Sequence, residues 1–518
     1  MTAVAGADVA AADPAAAPDQ PKPPMRAPRE CFEQLVGWLE GDEAAGLEHG
    51  QLEEQLDARG RELLRQMLQG NLDLRALREQ RLPQVLDADG ERHGNVETGH
   101  TRPLRSLFGT VRVTRLAYRC RGHANLYPAD AQLNLPVESH SHGLRRLAAV
   151  ESARGSFDQA GEAVGRRTGQ RLGKRQAEAL AAAAAVDIED FYATHHAPEA
   201  IDDTDVLVLS GDGKGIVMRP EALRPQTAAK AAAAQPKLTT RLSKGEKRNR
   251  KRLAEVGTVY DLRPVARTAN DVLARSGEQP SAAPAAPAPR ARNKWLTASV
   301  VDDAADVLAA VFDEADRRDP NHQRAWVALV DGNNHQIDRI ETEAAARGID
   351  LPIVIDFIHV LEYLWAAAWC FHPEADPAAE TWVAQRARAV LDGNATAVAA
   401  GIRRRATKTG LSKAQRKKAD DAARYLTNKA GYLDYPTALA NGWPIATGVI
   451  EGAVRHPVKD RMDITGARWT TEGAEAILKL RALHTNGDFD SYWLHHLKKE
   501  RQRNHQNRYS DNNIPAAA

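Results

Sequence analysis

Short apolar runs typical of β-strands alternate with helical patterns between residues 206 and 370. Such alternation predicts an α/β core, because elements that follow one another in this way pack as layers on a shared sheet. The predicted strands are 206–210, 256–262, 295–301, 325–330 and 352–357, and the predicted helices are 304–317, 337–347 and 359–370.

Three early strands, a helix, a strand, a helix and a fifth strand together predict a ribonuclease-H-like α/β catalytic core over residues 201–374. Two inserts interrupt this core, a basic stretch at 221–252 and an Ala/Pro-rich stretch at 270–293. Residues 375–440 are Ala/Arg/Lys-rich with helical spacing throughout, which predicts an all-α insertion before the segment 441–497.

Three acidic residues occupy conspicuous positions in this pattern. Asp212 and Asp331 follow predicted strands, and Glu451 lies in an apolar helical turn followed by several cations. Asp331-Gly332 alone would indicate only a turn, but three such acids together favour a metal site. Carboxylates suit Mg²⁺ or Mn²⁺, and two such ions can support an in-line phosphoryl displacement. Asp356 and His359 are either a satisfied polar pair at a strand end or supports for the metal ligands.

The N-terminal half carries two patterns that occur in DNA-binding proteins. Residues 29–95 are helical in spacing, whereas 96–200 contain a predicted β-hairpin and a predicted helix-turn-helix. On the hairpin, Arg112 and Arg115 either contact phosphate or solubilise a face. Lys174 and Arg175 begin the second helix of the helix-turn-helix, a pattern that any helical hairpin shares. Residues 1–28 read as a disordered tail and 498–518 as a basic polar tail.

The composition indicates the general class of protein but not its binding partner. The 518 residues imply several domains, and Lys+Arg 70 against Asp+Glu 69 leaves a net charge of only +1. Basic runs at 237–252 and 403–418 indicate polyanion contacts or solvated faces. The three cysteines are far apart and predict neither a disulfide framework nor a structural zinc site. Without an apolar run of about 20 residues, a cytoplasmic protein with no membrane partner is expected.

The C-terminal motifs resemble the catalytic-glutamate segment of the Kra-type bacterial insertion-sequence transposases, within the Mutator-like group of DDE transposases. The matching residues are Gly448-Val449-Ile450-Glu451-Gly452-Ala453, Val458-Lys459-Asp460-Arg461-Met462 and Thr465-Gly466-Ala467-Arg468-Trp469. Asp212-Gly213-Lys214-Gly215 and Val330-Asp331-Gly332 resemble the two aspartate motifs of that family, and Asp356-Phe357-Ile358-His359 resembles its Asp/Cys-x-x-His motif. The resemblance covers roughly residues 95 to 497.

This resemblance implies a recombinase that binds terminal inverted repeats, frees a 3′-OH and joins it to target DNA as a homo-oligomer at the bacterial nucleoid. It implies that Asp212, Asp331 and Glu451 hold Mg²⁺ or Mn²⁺. Further DNA contacts are expected from five residues near Glu451, namely Arg455, Lys459, Arg461, Arg468 and Trp469. A structure-specific nuclease of the same fold and a domesticated DNA-binding protein are the alternatives.

Overall fold

The computed structural model describes residues 23–195, 202, 204–235, 237–238, 240–243, 246, 248–273, 289–464 and 466–516. The chain divides into two compact units. Unit 1 comprises Met1–Leu144, Arg166–Gln170 and Glu500–Ala518, and unit 2 comprises Arg145–Gly165 and Arg171–Lys499. Most of the predicted tail 1–28 and of the predicted insert 270–293 lies outside the described residues.

Unit 1 is built on a long helix packed against a β-hairpin. Its helices are α1 (Arg26–Leu39), α2 (Asp42–Ala45), α3 (His49–Arg78) and α4 (Pro128–Gln132), and its strands are β1 (Asn95–Ser106) and β2 (Gly109–Arg119). The predicted hairpin is confirmed, with β1 and β2 antiparallel and Ser106 opposite Gly109 at the turn. Apolar side chains of α3 and the hairpin form a small core, Leu72, Leu104, Val111 and Val113.

A second small core in unit 1 corrects the prediction for the C-terminus. Tyr509 is only 3% exposed and packs with Val85, Tyr118, Leu126 and Ala131. The backbone N–H of Ser510 also donates to the Leu86 carbonyl at 3.3 Å. The residues around Tyr509 are therefore an integral part of unit 1 and not a free polar tail, because an aromatic ring stabilises the fold by leaving water.

Unit 2 contains a five-stranded mixed sheet in the order β5-β4-β3-β6-β7. These strands are β3 (Val206–Val217), β4 (Lys251–Leu262), β5 (Ala291–Ser299), β6 (Trp326–Val330) and β7 (Ile353–Ile355). The pairs β3/β4 and β4/β5 are antiparallel, whereas β3/β6 and β6/β7 are parallel. The predicted α/β class is thus confirmed at the level of a mixed sheet with helices.

Helices cover both faces of this sheet. The helices of unit 2 include α7 (Lys174–Ala183), α8 (Ile188–Thr194), α9 (Pro225–Ala232), α10 (Ala269–Leu273), α11 (Ala304–Arg318), α12 (Asn334–Arg347) and α13 (Phe357–Ala368), followed later by α18 (Gly448–Ala453), α19 (Asp460–Met462) and α20 (Thr471–Asn486). Of these, α9 buries no residue and does not contribute to the cover of the sheet. Trp295 belongs to one core whereas its neighbour Leu296 belongs to another, because successive strand residues point to opposite faces. Three other helices are α5 (His142–Arg154), α6 (Phe157–Thr168) and α21 (Phe489–Asn504).

The predicted all-helical insertion is confirmed. It consists of α14 (Pro377–Leu391), α15 (Ala395–Lys408), α16 (Lys417–Asn428) and α17 (Tyr435–Ala440). Its apolar residues, among them Trp382, Ile402 and Leu426, join the same core as Leu207 and Leu329 of the sheet. The insertion is therefore fixed on the sheet by a continuous apolar core. Within the described ranges, no helix combines the length and the apolar character that a membrane crossing requires.

Candidate metal centre

Three aspartates align across the three parallel strands of unit 2. The pairing of β3 with β6 ends at Leu209 and Ala328, and three residues beyond it Asp212 and Asp331 line the same pocket. Val330 of β6 pairs with Ile355 of β7, so one further residue sets Asp331 beside Asp356. The sheet therefore brings Asp212, Asp331 and Asp356 to one level on neighbouring strands, although they are far apart in the chain.

The prediction that the first strand ends before Asp212 is wrong. Strand β3 continues to Val217 and pairs with β4 along its whole length, so Asp212 lies within the strand. The Gly/Lys-rich residues after Gly211 lack the apolar side chains that indicate a strand, and the pairing with β4 overrides that weak local preference. Asp331, in contrast, follows directly after the end of β6 as predicted.

Asp212 and Asp331, called the acid pair below, interact electrostatically. Burial raises the pKa of the Asp212 carboxyl and the negative charge of Asp331 raises it further, while the Gly213 N–H, His359 and Lys214 act in the opposite direction. The Gly213 N–H donates to Asp212 Oδ1 at 2.6 Å, and the Asn333 N–H donates to Asp331 Oδ1 at 2.8 Å. Two neighbouring carboxylates that repel each other form a site that a divalent cation would stabilise.

Glu255 on β4 is an acidic neighbour of Asp212 that the sequence analysis missed. Burial raises the pKa of Glu255 and the charge of Asp212 adds to this, whereas Arg339 and Arg224 oppose it. A Cβ atom added at Gly213 would lie 2.8 Å from Glu255 Oε2, so the glycine leaves room for that carboxylate. No local motif marks Glu255, because only the pairing of β3 with β4 brings it to the site.

Asp356 is enclosed, unlike the acid pair. Its side chain is fully buried, and Oδ1 accepts a hydrogen bond from the Ile358 N–H at 2.7 Å, which caps the start of α13. Oδ2 accepts from the Thr447 N–H at 3.1 Å and also from the Thr447 hydroxyl. The partners of Asp356 are therefore Thr447 and backbone groups, and we call this contact the Asp356–Thr447 junction.

The Asp356–Thr447 junction positions Glu451. The Thr447 carbonyl accepts from the Glu451 N–H at 3.0 Å, and the Thr447 hydroxyl lies 3.2 Å from Glu451 Oε1. A threonine hydroxyl has one proton to donate. The Thr447 hydroxyl donates it to the closer Asp356 oxygen, so it does not also form a hydrogen bond to the Glu451 carboxylate. Glu451 is exposed, and its carboxylate is therefore open to a ligand.

Asp356, His359 and Glu451 form a group that could hold a metal ion, since their ligand atoms all lie within 4.8 Å of one another. Asp212, Asp331 and Glu451 do not form such a group among the described residues. His359 connects the two sets, because it belongs to the group with Glu451 and also lowers the pKa of Asp212. Its Nδ1 lies 3.5 Å from Glu362 Oε2 on the exposed side.

The segment after Glu451 departs from regular α-helix as its proline predicts. Helix α18 ends at Ala453 and a π-helical stretch, Val454–Lys459, contains Pro457. Arg455 is exposed and, within the described part of the chain, forms no ion pair with Glu451. The cations of this segment therefore do not neutralise the carboxylate that precedes them.

A cleft of about 860 Å³ opens beside Asp331 and His359. Helix α16 and the residues after it contribute four cations to its wall, Lys417, Lys418, Arg424 and Lys429. The rings of Tyr363 and Tyr425 stack in this wall with 4.0 Å between their centroids. Gly332 is required here, because a Cβ atom at that position would lie 2.6 Å from the Tyr425 hydroxyl. The cleft thus combines an acidic edge with a basic wall from the insertion.

Three of the predicted DNA contacts are wrong because the residues are buried. Trp469 is 4% exposed and its Nε1 donates to the Met462 carbonyl at 2.9 Å. Arg461 stacks on that ring with 4.8 Å to its centroid, and burial followed by repulsion from Arg481 lowers its pKa to about 10. Arg115 forms a 3.1 Å ion pair with Asp130 and lies over the Tyr127 ring. These cations stabilise the interior of their units.

The other predicted DNA contacts lie at the surface. Those after Glu451 are Arg455, Lys459 and Arg468, and those in the N-terminal half are Arg112, Lys174 and Arg175. Both helices of the predicted helix-turn-helix are present as α6 and α7, and the turn between them contains Gly169 in the left-handed conformation with φ 67°. Lys174 forms an exposed ion pair with Asp158 at 2.5 Å. The first turn of α7 is therefore accessible to a ligand.

The predicted DNA-binding region 96–200 is not one unit in the structure, because its residues are divided between unit 1 and unit 2. The hairpin belongs to unit 1, whereas α7 belongs to unit 2, where its buried residue Ala181 lies in the core that also contains Ile477 and Leu480 of α20. Comparisons with known proteins add no identity, since no family model matches the chain and no curated protein matches it either.

Proposed function

We propose that this protein is a DNA transposase that cleaves the ends of its element and joins them to target DNA. The observation that carries the proposal is that Asp212 on β3 and Asp331 directly after β6 line one pocket, with Glu451 on a helix that follows an all-helical insertion. We also propose a ribonuclease-H-like fold for the sheet, which the strand order β5-β4-β3-β6-β7, with three antiparallel strands followed by two parallel ones, supports.

The donor set fits Mg²⁺ or Mn²⁺. Asp212, Asp331 and Glu451 would hold the ions, because hard cations prefer carboxylate oxygens. When bound, the ions would activate the attacking oxygen and stabilise the leaving oxygen in an in-line displacement. Burial, and after it the charge of Asp331, raises the pKa of Asp212, and a cation between the acids would offset both effects. His359, beside both sets of acids, would orient a ligand or donate to a scissile phosphate.

The surface around the acids suits a polyanionic substrate. The cleft beside Asp331 carries the cations Lys417 and Lys418, and Lys418 has no ion-pair partner among the described residues. Arg455 and Lys459, also exposed, follow Glu451 at about one and about two helical turns. Cations at this distance from a phosphoryl-transfer site would neutralise the DNA backbone and hold it against the acids. The first turn of α7 is the candidate for sequence-specific contacts with the element ends.

The test is a strand-transfer assay with the full-length protein. Labelled duplexes that carry the inverted repeats flanking the gene are incubated with supercoiled target DNA and Mg²⁺, and nicked and joined products are separated. We expect wild type to give both products. Asp212→Asn, Asp331→Asn and Glu451→Gln should reduce both to background while the binding of end DNA is retained.

Asp350→Asn is the matched control, because Asp350 is an exposed acid that precedes β7 at the opposite end of the parallel strands. It should cleave and join like wild type. Cleavage without any joined product would instead identify a nuclease of the same fold. Activity of the three acid variants equal to that of Asp350→Asn would refute the proposed site.

A further inference from the structure

A second set of convergent ligands lies in unit 1, outside the candidate metal centre. Asp87 and His93 belong to a tight turn in which the His93 N–H donates to the Val85 carbonyl at 2.9 Å. His123 belongs to the turn after β2, where its N–H donates to the Cys120 carbonyl at 3.2 Å. The ligand atoms of Asp87, His93 and His123 all lie within 4.8 Å of one another.

Two imidazole nitrogens converge on one carboxylate oxygen. His93 Nε2 lies 3.1 Å from Asp87 Oδ2, and His123 Nδ1 lies 2.9 Å from the same oxygen. Bonds of 2.0–2.1 Å to a tetrahedral zinc ion would separate two ligand atoms by about 3.3 Å. The observed separations are close to that spacing, so small side-chain shifts would accommodate an ion between the three atoms.

The surroundings of His93 fix which nitrogen carries a proton. Nδ1 lies 3.1 Å from the Tyr118 carbonyl oxygen, which can only accept, so Nδ1 carries the hydrogen. In a neutral ring the Nε2 lone pair then points at Asp87 Oδ2, which is also an acceptor. His93 is 1% exposed, so water does not separate them. A proton or a metal ion must therefore lie between the two atoms.

The backbone holds both buried ligands in orientation. Asp87 Oδ1 accepts from the N–H groups of Asp89 at 3.0 Å and Glu91 at 2.9 Å, which leaves Oδ2 directed at the histidines. The Tyr118 carbonyl fixes the His93 ring in the same way. Metal-binding histidines usually donate their other ring N–H to such a carbonyl, and metal-binding carboxylates are themselves hydrogen-bonded.

We propose that Asp87, His93 and His123 bind a tetrahedral transition-metal ion, with zinc as the preferred ion and water in the fourth position. Two imidazoles and one carboxylate suit zinc, whereas Mg²⁺ prefers a set made of oxygen atoms. The His123 side chain is 35% exposed and provides an entry path for the ion. The positions of the cysteines do not indicate this site, because its three ligands are two histidines and an aspartate.

The ion would tie the turn around Asp87 to the end of the hairpin. These segments surround the small core of Val85, Tyr118, Leu126, Ala131 and Tyr509. A core of this size contributes little stabilisation alone, and metal ions commonly reinforce such small units. The ion would therefore stabilise unit 1, and this site is independent of the acid pair in unit 2.

The experiment measures metal content and thermal stability of the full-length protein. After expression with zinc and dialysis against a weak chelator, mass spectrometry should find about one zinc per wild-type chain. His123→Ala and Asp87→Asn should reduce this content to background. His100→Ala, which changes a hairpin histidine paired with Glu97 instead, should keep it. Glu451→Gln should also keep it, which separates this site from the acidic one.

Two further readouts do not depend on how the variants fold. Wild type reconstituted with Co²⁺ should show the visible absorption bands of a tetrahedral site, and added Zn²⁺ should raise the melting temperature of the stripped wild type. Wild type without zinc, without these bands and without a melting shift would mean that His93 is simply protonated against Asp87. Zinc lost from Cys120→Ser would also overturn the three-ligand assignment.

Discussion

Asp331 and Asp356 follow neighbouring parallel strands at the same level, yet their surroundings are opposite. Asp331 is half-buried, lines an open cleft and raises the pKa of Asp212 by its charge. Asp356 is fully buried, and both of its oxygens accept hydrogen bonds from Ile358 and Thr447. Asp331 is therefore open to a ligand from the cleft, whereas three protein donors already occupy Asp356.

The chain that follows each aspartate causes this difference. Gly332 turns the chain away with φ 93°, and Asn333 instead of Asp331 caps helix α12. Asp356 is itself the N-terminal cap of α13, and Thr447 then covers it. We infer that the acid pair serves chemistry at a cost in stability, while the Asp356–Thr447 junction stabilises the fold and positions Glu451.

The largest effect on stability is expected from Asp356→Ala. This change removes the cap of α13 and leaves the buried Thr447 N–H without its acceptor, which should lower the free energy of unfolding by about 3 kcal/mol. Denaturant unfolding of the metal-free protein measures it. Asp331→Ala is the matched change on the neighbouring strand and should cost less than about 1 kcal/mol. Equal losses of unfolding free energy for the two variants would mean that the enclosed Asp356 stabilises the fold no more than Asp331 does.

The secondary structure around these aspartates could be predicted from the sequence. Helix α11 begins at Ala304 and α12 ends at Arg347, both as predicted, because apolar residues recur there at helical spacing. The position of Asp331 after β6 was also predicted, since a run of five buried residues precedes it. Local patterns of this kind depend on near neighbours in the chain.

The enclosure of Asp356 could not be predicted, because its partner Thr447 lies 91 residues away. The same reason hides Glu255, which only the register of β3 and β4 brings to Asp212. Arg461 and Trp469 were predicted to contact DNA but are buried. Their sequence motif is the same whether they face solvent or the core, so the sequence alone could not distinguish the two. Tertiary contacts, and not local propensity, determined these outcomes.

A substitution of His359 tests whether the acid pair and Glu451 act together. Its imidazole lowers the pKa of Asp212 and shares a possible metal group with Glu451, so His359→Ala should reduce the cleavage rate about 10- to 100-fold. The melting temperature should change little, because the ring is partly exposed. Glu362→Ala removes only the exposed partner of His359 and should leave the rate unchanged. A rate that falls only in step with unfolding would make His359 purely structural.

Asp212→Asn should stabilise the metal-free protein. The folded-state pKa of Asp212 lies above its ordinary value, so the stability associated with this group is greatest at low pH and is lost as pH rises through the folded pKa. At neutral pH the uncharged Asn removes the repulsion from Asp331, and we expect the melting temperature to rise by about 1 to 3 °C. The gain should disappear at a pH where the wild-type carboxyl is protonated, or when Mg²⁺ is added. A destabilised Asp212→Asn at neutral pH would contradict the repulsion.

The smallest effect is expected at the basic wall of the cleft. A substitution there tests whether the cleft beside Asp331 binds DNA. Lys418 lines the cleft beside Asp331, whereas Lys413 is equally exposed in the same insertion but does not line it. If Lys418 contacts a phosphate, Lys418→Gln should reduce the slope of log affinity against log salt concentration by about 0.9 for duplex DNA. Lys413→Gln should leave that slope unchanged, because no counterion is released at a cation that DNA does not contact. Fluorescence anisotropy at several salt concentrations measures both slopes, and identical values for the two variants would place the DNA outside this cleft.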